Sequence, residues 1–154
     1  GNWDPHCESA SVALQQAYVH EMHDVCDLLI QEGIAPKMKY VLDVICEFWP
    51  SLKLVSKVVQ HLKDTNTWSA QSEYASDALV WVYFGEKGGL CDLLIKEGVS
   101  LTMKNLYDLM CKRFVKFDSG LSCPLLKHVE KVVQHLKEKV IGIPIVRVHL
   151  LHYA

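Results

Sequence analysis

The chain of 154 residues lacks an uninterrupted apolar run of the roughly 20 residues that a membrane-spanning helix needs. Its first residues contain no basic segment followed by an apolar stretch, so no secretory signal is visible. The formal net charge of −2 gives no general electrostatic attraction to nucleic acid. These absences predict an intracellular location, cytoplasmic or nuclear, and no membrane partner.

Motifs for catalysis and for cofactor binding are also missing. There is no Gly-x-Ser-x-Gly sequence of a hydrolase and no glycine-rich phosphate loop before a lysine. The six cysteines form no Cys-x-x-Cys pair, and their spacing matches no structural zinc site. We therefore expect no catalytic residues, no metal and no cofactor, and a protein that is not an enzyme.

What the sequence does contain is an internal repeat. Ala10–Trp49 aligns without gaps with Ala75–Phe114, 65 positions later, and Cys-Asp-Leu-Leu-Ile recurs intact within it. Lys57–Lys63, with the sequence KVVQHLK, recurs unchanged as Lys131–Lys137, now 74 positions later. The change of offset places about nine extra residues in Val115–Cys123 of the second copy. The chain is therefore two copies of one unit, the second with a longer loop.

Both copies have helical periodicity. One helix face of the first copy carries the apolar stripe Met38, Val41, Leu42, Ile45 and Phe48. The second copy repeats this spacing with Met103, Leu106, Tyr107, Met110 and Phe114, so we expect neighbouring helices to bury both stripes. Gly33 and Gly98 follow helical segments, where glycine adopts the left-handed conformation that ends a helix. Pro36 suits the first turn of a helix. The apolar segment 78–84 alone resembles a buried strand, but its counterpart 13–19 is helical in character, and we predict a helix for both.

The predicted organisation is one α-helical domain over residues 1–154. It consists of repeat unit one (7–64), a linker (65–70), repeat unit two (71–140) and a tail (141–154) that is a strand, an arm or a further helix. The units contain four helical hairpins, at residues 7–33, 36–64, 71–98 and 100–140. Since one hairpin cannot bury its own apolar stripe, we predict stacked hairpins in an α-solenoid-like array, with a compact helical bundle as the alternative.

The segment that joins the hairpins resembles the junction between pentatricopeptide repeats, which together with tetratricopeptide-like proteins form α-solenoids. The residues that carry the resemblance are Glu32, Gly33, Ile34, Pro36, Tyr40 and Leu42, and in the second copy Glu97, Gly98, Val99 and Leu106. The resemblance implies helical hairpins, and in that family polar residues early in the first helix read single-stranded RNA. The corresponding positions here, near Val41 and Leu106, are apolar, so the RNA code does not carry over.

Charge is distributed unequally between the two copies. Residues 1–70 contain five Lys/Arg and nine Asp/Glu, a net charge of −4, whereas residues 71–154 contain eleven and nine, a net charge of +2. The second copy therefore has enough lysines for a local basic face, including Lys127 and Lys131. Solvated lysines on helix exteriors are the simpler interpretation, and RNA binding is the alternative.

The cysteines recur in pairs, Cys26 with Cys91 and Cys46 with Cys111, beside apolar residues of predicted helices. We expect buried, reduced thiols. A sharper hypothesis is that two thiols serve as the opposed acid and base of a racemase, as in cofactor-independent aspartate and glutamate racemases. Those enzymes resemble duplicated α/β domains, and this sequence has no similar pattern. A reactive thiol also needs an electropositive site, whereas Cys26 and Cys91 are each followed by an aspartate.

A second hypothetical site is the set His20, His23 and Cys26, which places three metal-binding side chains on one helix face. The second copy has glycine where the two histidines stand. The set is therefore not a property of the repeat, and a surface histidine pair is the better interpretation.

The most informative polar feature is a stripe on the two KVVQHLK helices, opposite their valines and leucines. Its residues are Lys53, Lys57, Gln60, His61, Lys127, Lys131, Gln134 and His135. Recent duplication would preserve such residues without any role. Other exposed positions have diverged, however, so we predict that this stripe faces a ligand or partner.

The function we expect is that of a non-enzymatic α-helical repeat module that binds a protein or peptide within a larger intracellular protein. The first alternative is an RNA-binding helical-hairpin module, and the second is the two-cysteine racemase. Apolar residues at the ends of the array would continue the stack or form a homodimer; they include Trp3, Trp68, Trp81 and Leu150–Tyr153.

Overall fold

The computed structural model describes residues 2–47, 51–85, 87–111 and 126–141. Within these ranges the chain forms eight α-helices and no β-strand, which confirms the all-α prediction. The helices are α1 (Glu8–Val19), α2 (His23–Gln31), α3 (Lys39–Glu47), α4 (Leu52–Asp64), α5 (Glu73–Phe84), α6 (Gly88–Lys96), α7 (Met103–Cys111) and α8 (Leu126–Ile141). The predicted tail from Gly142 onward and the inserted segment Val115–Cys123 lie outside the described residues.

The helix ends follow from local sequence. Ser51 caps α4 by accepting a hydrogen bond from the Leu54 N–H at 3.0 Å. Gly33 and Gly98 have φ of +98° and +89°, the left-handed conformation that the sequence predicts for them. After Gly33 the Ile34 N–H donates to the Leu29 carbonyl at 3.1 Å, which completes a Schellman turn. These turns fix the angle at which α3 and α7 follow α2 and α6.

The apolar segment 78–84 belongs to α5, so its prediction as a helix is confirmed. Since α5 packs against α3, α6, α7 and α8, apolar residues are buried on nearly every side of it. A helix surrounded in this way loses the polar face that marks a surface helix. This explains why its sequence alone resembles a strand.

The contacts of α3 and α7 differ in one respect. α3 packs against α1, α4 and α5. α7 packs against α5 and α8, which correspond to α1 and α4 in the other copy, and no third described helix packs against it to a comparable extent. Among the described helices, none covers the remaining side of α7.

Two sequence predictions are wrong at this point. Three residues of the second apolar stripe, Met103, Tyr107 and Met110, are exposed, because no described helix stands where α5 stands beside α3. Leu106 of the same stripe packs against the core, and Phe114 lies outside the described residues. Pro36 lies in the loop before α3 and not in its first turn. None of the described helices combines the length and the apolar character needed to cross a lipid bilayer.

Candidate interaction surfaces

The predicted polar stripe of unit one lies on α4, but its members do not all face solvent. Lys53 and Gln60 are exposed, and the Gln60 amide donates to the Asp64 carboxylate at 2.7 Å. Lys57 and His61 are partly buried and turn toward Asp27 on α2. The stripe is thus divided into an exposed part and a part that joins two helices.

A hydrogen-bonded network connects α1, α2 and α4. Lys57 Nζ lies 2.9 and 3.0 Å from the two carboxylate oxygens of Asp27. His61 Nε2 lies 3.1 Å from Asp27 Oδ1, and His61 Nδ1 lies 2.6 Å from the Tyr18 hydroxyl oxygen. His61 therefore links a buried phenol to an exposed carboxylate.

The second copy contains the same tyrosine–histidine pair. The Tyr83 hydroxyl oxygen lies 2.8 Å from His135 Nδ1. His135 Nε2, however, accepts a hydrogen bond from the backbone N–H of Leu101 at 3.1 Å. Lys127, Lys131 and Gln134 of the predicted stripe are exposed on α8, and Gln134 donates to Glu138 at 2.8 Å, as Gln60 does to Asp64.

These contacts assign the ring proton of each histidine. A carboxylate only accepts hydrogen bonds, so His61 donates from Nε2 to Asp27, and its Nδ1 accepts the Tyr18 hydroxyl proton. A backbone N–H only donates, so Nε2 of His135 is unprotonated and Nδ1 donates to the Tyr83 oxygen. The two equivalent histidines are therefore opposite tautomers.

The cause is one difference between the repeats. Pro36 stands at the position of Leu101 and has no backbone N–H to offer to a histidine. In unit two the Tyr83 hydroxyl accepts a hydrogen bond from His135, so its own proton remains available. This hydroxyl forms a hydrogen bond with the Cys91 thiol. A proline-to-leucine change thus redirects the hydrogen bond of a tyrosine 18 positions earlier in the sequence.

Ionisation in unit one follows the same contacts. The hydrogen bond from Lys57 holds the pKa of Asp27 below its usual value. Burial lowers the pKa of His61, and the neighbouring Asp27 carboxylate opposes that effect. His61 is therefore neutral at pH 7, as the tautomer assignment requires.

The thiols are not activated. Burial raises the pKa of the Cys26 thiol to about 11. Burial also raises the pKa of the Cys91 thiol, although the hydrogen bond from Tyr83 acts to lower it. Both are protonated at neutral pH, whereas a nucleophile or a proton-abstracting base needs the thiolate. None of Cys7, Cys26, Cys46 and Cys91 is in a disulfide; Cys26 is buried, but Cys46 is exposed, so the prediction of a buried thiol is wrong there. The side chain of Cys111 lies outside the described structure.

Beside Tyr83 lies an open cleft of about 590 Å³. Its lining residues are Val82, Tyr83, Lys87, Gly88, Cys91, Asp92 and Lys131. One member of the predicted stripe, Lys131, therefore borders a concave surface. Within the described ranges no three His, Cys, Asp or Glu side chains are placed to hold a metal ion, the set of His20, His23 and Cys26 included.

An exposed apolar stripe lies on α7. Met103, Tyr107 and Met110 lie at successive turns of one helix face and are 66%, 60% and 60% exposed. Their counterparts Met38 and Leu42 on α3 pack against the core. Sequence reasoning identified this stripe but assigned it to the interior, because periodicity does not tell which helix covers a face.

Asp27 was missed by sequence reasoning. It is adjacent to Cys26 in the repeated pentapeptide, and the signal that could have found it was the recurrence of an acidic residue on α2 together with a lysine on α4.

Comparisons of the chain with protein-family models, curated proteins and solved structures found no match.

Proposed function

We propose that the chain is a non-enzymatic α-helical repeat module that binds another protein through the exposed face of α7. The observation that carries this proposal is the exposure of Met103, Tyr107 and Met110 on one face of one helix. Folded proteins rarely leave such a contiguous apolar patch in water unless it serves an interaction. Methionine and tyrosine suit this role, since methionine adapts to a partner's shape and tyrosine adds a polar group.

A helix is the form of partner that this face fits. Within the chain, the equivalent stripe on α3 includes Met38, Leu42 and Ile45, and α3 packs against α5. We infer that hairpins stack as in a solenoid, so that each hairpin covers the apolar face that the preceding hairpin leaves exposed. The contacts of α3 with α5 and of α4 with α6 support this arrangement, because each joins a helix of one copy to a helix of the other.

The alternative functions have less support. RNA binding would rest on lysines of unit two such as Lys127 and Lys131, which are exposed on α8, but the net charge of −2 provides no general electrostatic attraction to RNA. In unit two Lys104 is also paired with the Glu73 carboxylate. The raised pKa of Cys26 and of Cys91 argues against a racemase, because its proton-abstracting group must be a thiolate.

Photo-crosslinking tests the proposal directly. A benzophenone amino acid replaces Tyr107 in the chain, which is expressed in its own cells and irradiated. We expect adducts between residue 107 and another protein, because the partner's helix lies within reach of this face. The matched control carries the same amino acid in place of Leu52, a residue of α4 that is 50% exposed.

The outcomes separate clearly. An adduct formed from position 107 and not from position 52 supports the proposed surface. Equal adducts from both positions would indicate random encounters, and no adducts from position 107 would contradict the proposal. Introducing Met110→Glu into the crosslinking chain should abolish the adduct, since it places a charge on the apolar face one turn from residue 107.

A further inference from the structure

The uncovered face of α7 has a complementary uncovered face at the other end of the chain. α5 packs against α3, and its Ala78 is completely buried. Ala13 is the equivalent residue on α1, and it is exposed. α1 thus presents the small residue that α5 buries, while α7 presents the stripe equivalent to that of α3. The two ends of the chain match the two sides of a contact that already exists within it.

An ion pair between the copies repeats this relationship. Lys63 at the end of α4 lies 3.1 Å from Glu97, which follows α6. The repeat makes Lys137 on α8 the counterpart of Lys63 and makes Glu32 after α2 the counterpart of Glu97. Both Lys137 and Glu32 are exposed. If a second copy continued the array, these two residues would meet across the boundary.

We propose that the α7 face binds α1 of a second copy of this chain, head to tail, with the packing that joins α3 to α5 within one chain. This inference rests on the proposed function and names the partner of the same surface. In this arrangement α8 of one copy meets α2 of the next, as α4 meets α6. Two helix pairs therefore contribute to the interface and bury more surface area than a single helix pair would.

Net charge favours the same orientation. Residues 1–70 have a net charge of −4 and residues 71–154 a net charge of +2, so head-to-tail contact brings opposite charges together. Contact between two like ends would bring like charges together. Since each copy keeps one free face of each kind, the interface is heterologous, and further copies add to the array unless it closes into a ring.

Sedimentation equilibrium of the purified full chain tests the inference. We expect the weight-average mass to rise with concentration above the 17.5 kDa of one chain and to pass the dimer without a plateau. Ala13→Glu and Met110→Glu should each weaken association by about tenfold or more, because each places a charge in the contact. Leu52→Glu is the control with the same charge change, at an exposed residue of α4, which takes no part in the proposed contact, and it should associate as the unmodified chain does. All three positions are exposed, and circular dichroism verifies that each variant is folded.

Mixing the two variants distinguishes head-to-tail contact from a symmetric one. The Ala13→Glu chain keeps an intact α7 face, and the Met110→Glu chain keeps an intact α1. An equimolar mixture should therefore form dimers and stop there, since both free ends of the dimer carry a glutamate. A mixture that stays monomeric while the unmodified chain associates would overturn the head-to-tail arrangement.

A charge exchange adds an independent readout. Lys137→Glu and Glu32→Lys alone should each weaken association by roughly two- to five-fold, the effect of losing one exposed ion pair. The double variant should recover part of the loss, and no recovery would contradict the predicted contact. A chain that is monomeric at every concentration would contradict the proposed self-association. Adducts from position 107 to a different protein would then still support the proposed function.

Discussion

The phenol of Tyr18 and the imidazole of His61 share a hydrogen bond of 2.6 Å, and in this pair the tyrosine is the donor. In the equivalent pair of unit two, Tyr83 and His135, the histidine is the donor. The reversal has a single covalent origin, since Pro36 has no N–H and Leu101 has one. The two copies therefore contain the same tyrosine and histidine side chains, but the imidazole proton is on Nε2 in His61 and on Nδ1 in His135.

The first prediction concerns these tautomers. Long-range ¹H–¹⁵N spectra of the imidazole rings should show His61 with its proton on Nε2 and His135 with its proton on Nδ1. Replacing Leu101 by proline should move the proton of His135 toward Nε2, because the backbone donor is lost. Identical tautomers in the unmodified chain would show that the assignment is wrong.

The second prediction concerns the pKa of His61, measured by NMR titration. It should lie below 6.5, because burial disfavours the imidazolium. Asp27→Asn should lower it further, since the carboxylate favours the charged ring, whereas Lys57→Met should raise it by removing a neighbouring cation. Shifts in the same direction for both variants would contradict the network.

The same shift predicts how stability depends on pH. Because the folded-state pKa of His61 is lower than the unfolded-state value of about 6.5, the unfolded chain binds more protons between the two values. The contribution of His61 to the free energy of unfolding is therefore largest above pH 6.5 and decreases as the pH falls through that window. His61→Gln should flatten this part of the curve in urea titrations.

The third prediction compares glycines that have different roles. Gly33→Ala and Gly98→Ala should each lower the free energy of unfolding by about 1–2 kcal/mol, because their positive φ strains any side chain. Gly89→Ala should raise it by about 0.5–1 kcal/mol, since Gly89 lies within α6 and its added Cβ meets no atom within 4 Å. Urea denaturation of the three variants measures these opposite signs.

The fourth prediction concerns thiol reactivity. Iodoacetamide at pH 7.5 should modify Cys46 well before Cys26, because Cys46 is exposed and the pKa of the buried Cys26 thiol is raised to about 11. Peptide mass spectrometry after timed quenching gives the two rates. Modification of Cys26 at the rate of Cys46 would show that the buried network opens readily.

Much of the fold was predictable from the sequence, because duplication allows one copy to correct the interpretation of the other. The segment 78–84 was assigned to a helix only through its counterpart 13–19, and α5 confirms that assignment. The left-handed glycines at 33 and 98 were predictable from their position after helical periodicity. These features depend on local conformation, which the sequence encodes directly.

Features that depend on which elements meet were not predictable. Lys57 and His61 were recognised as a repeated polar pair, but their shared carboxylate, Asp27, comes from another helix. The exposure of Met110 depends on a neighbouring helix that α3 has and that no described helix provides for α7. Tertiary neighbours decide both, and periodicity within one helix is the same whether its face is covered or open.

The most direct test of the α7 docking surface uses the four methionines of the chain, Met22, Met38, Met103 and Met110. ¹³C-methyl labelling gives one signal for each, and the Ala13→Glu substitution prevents the labelled chains from associating with one another. In an extract of the cells that express the chain, depleted of the unlabelled chain, the signals of Met103 and Met110 should broaden or shift, because the bound protein covers them. Those of Met22 and Met38 should stay unchanged. Four unchanged signals, or equal broadening of all four, would contradict the claim that α7 is the interaction surface.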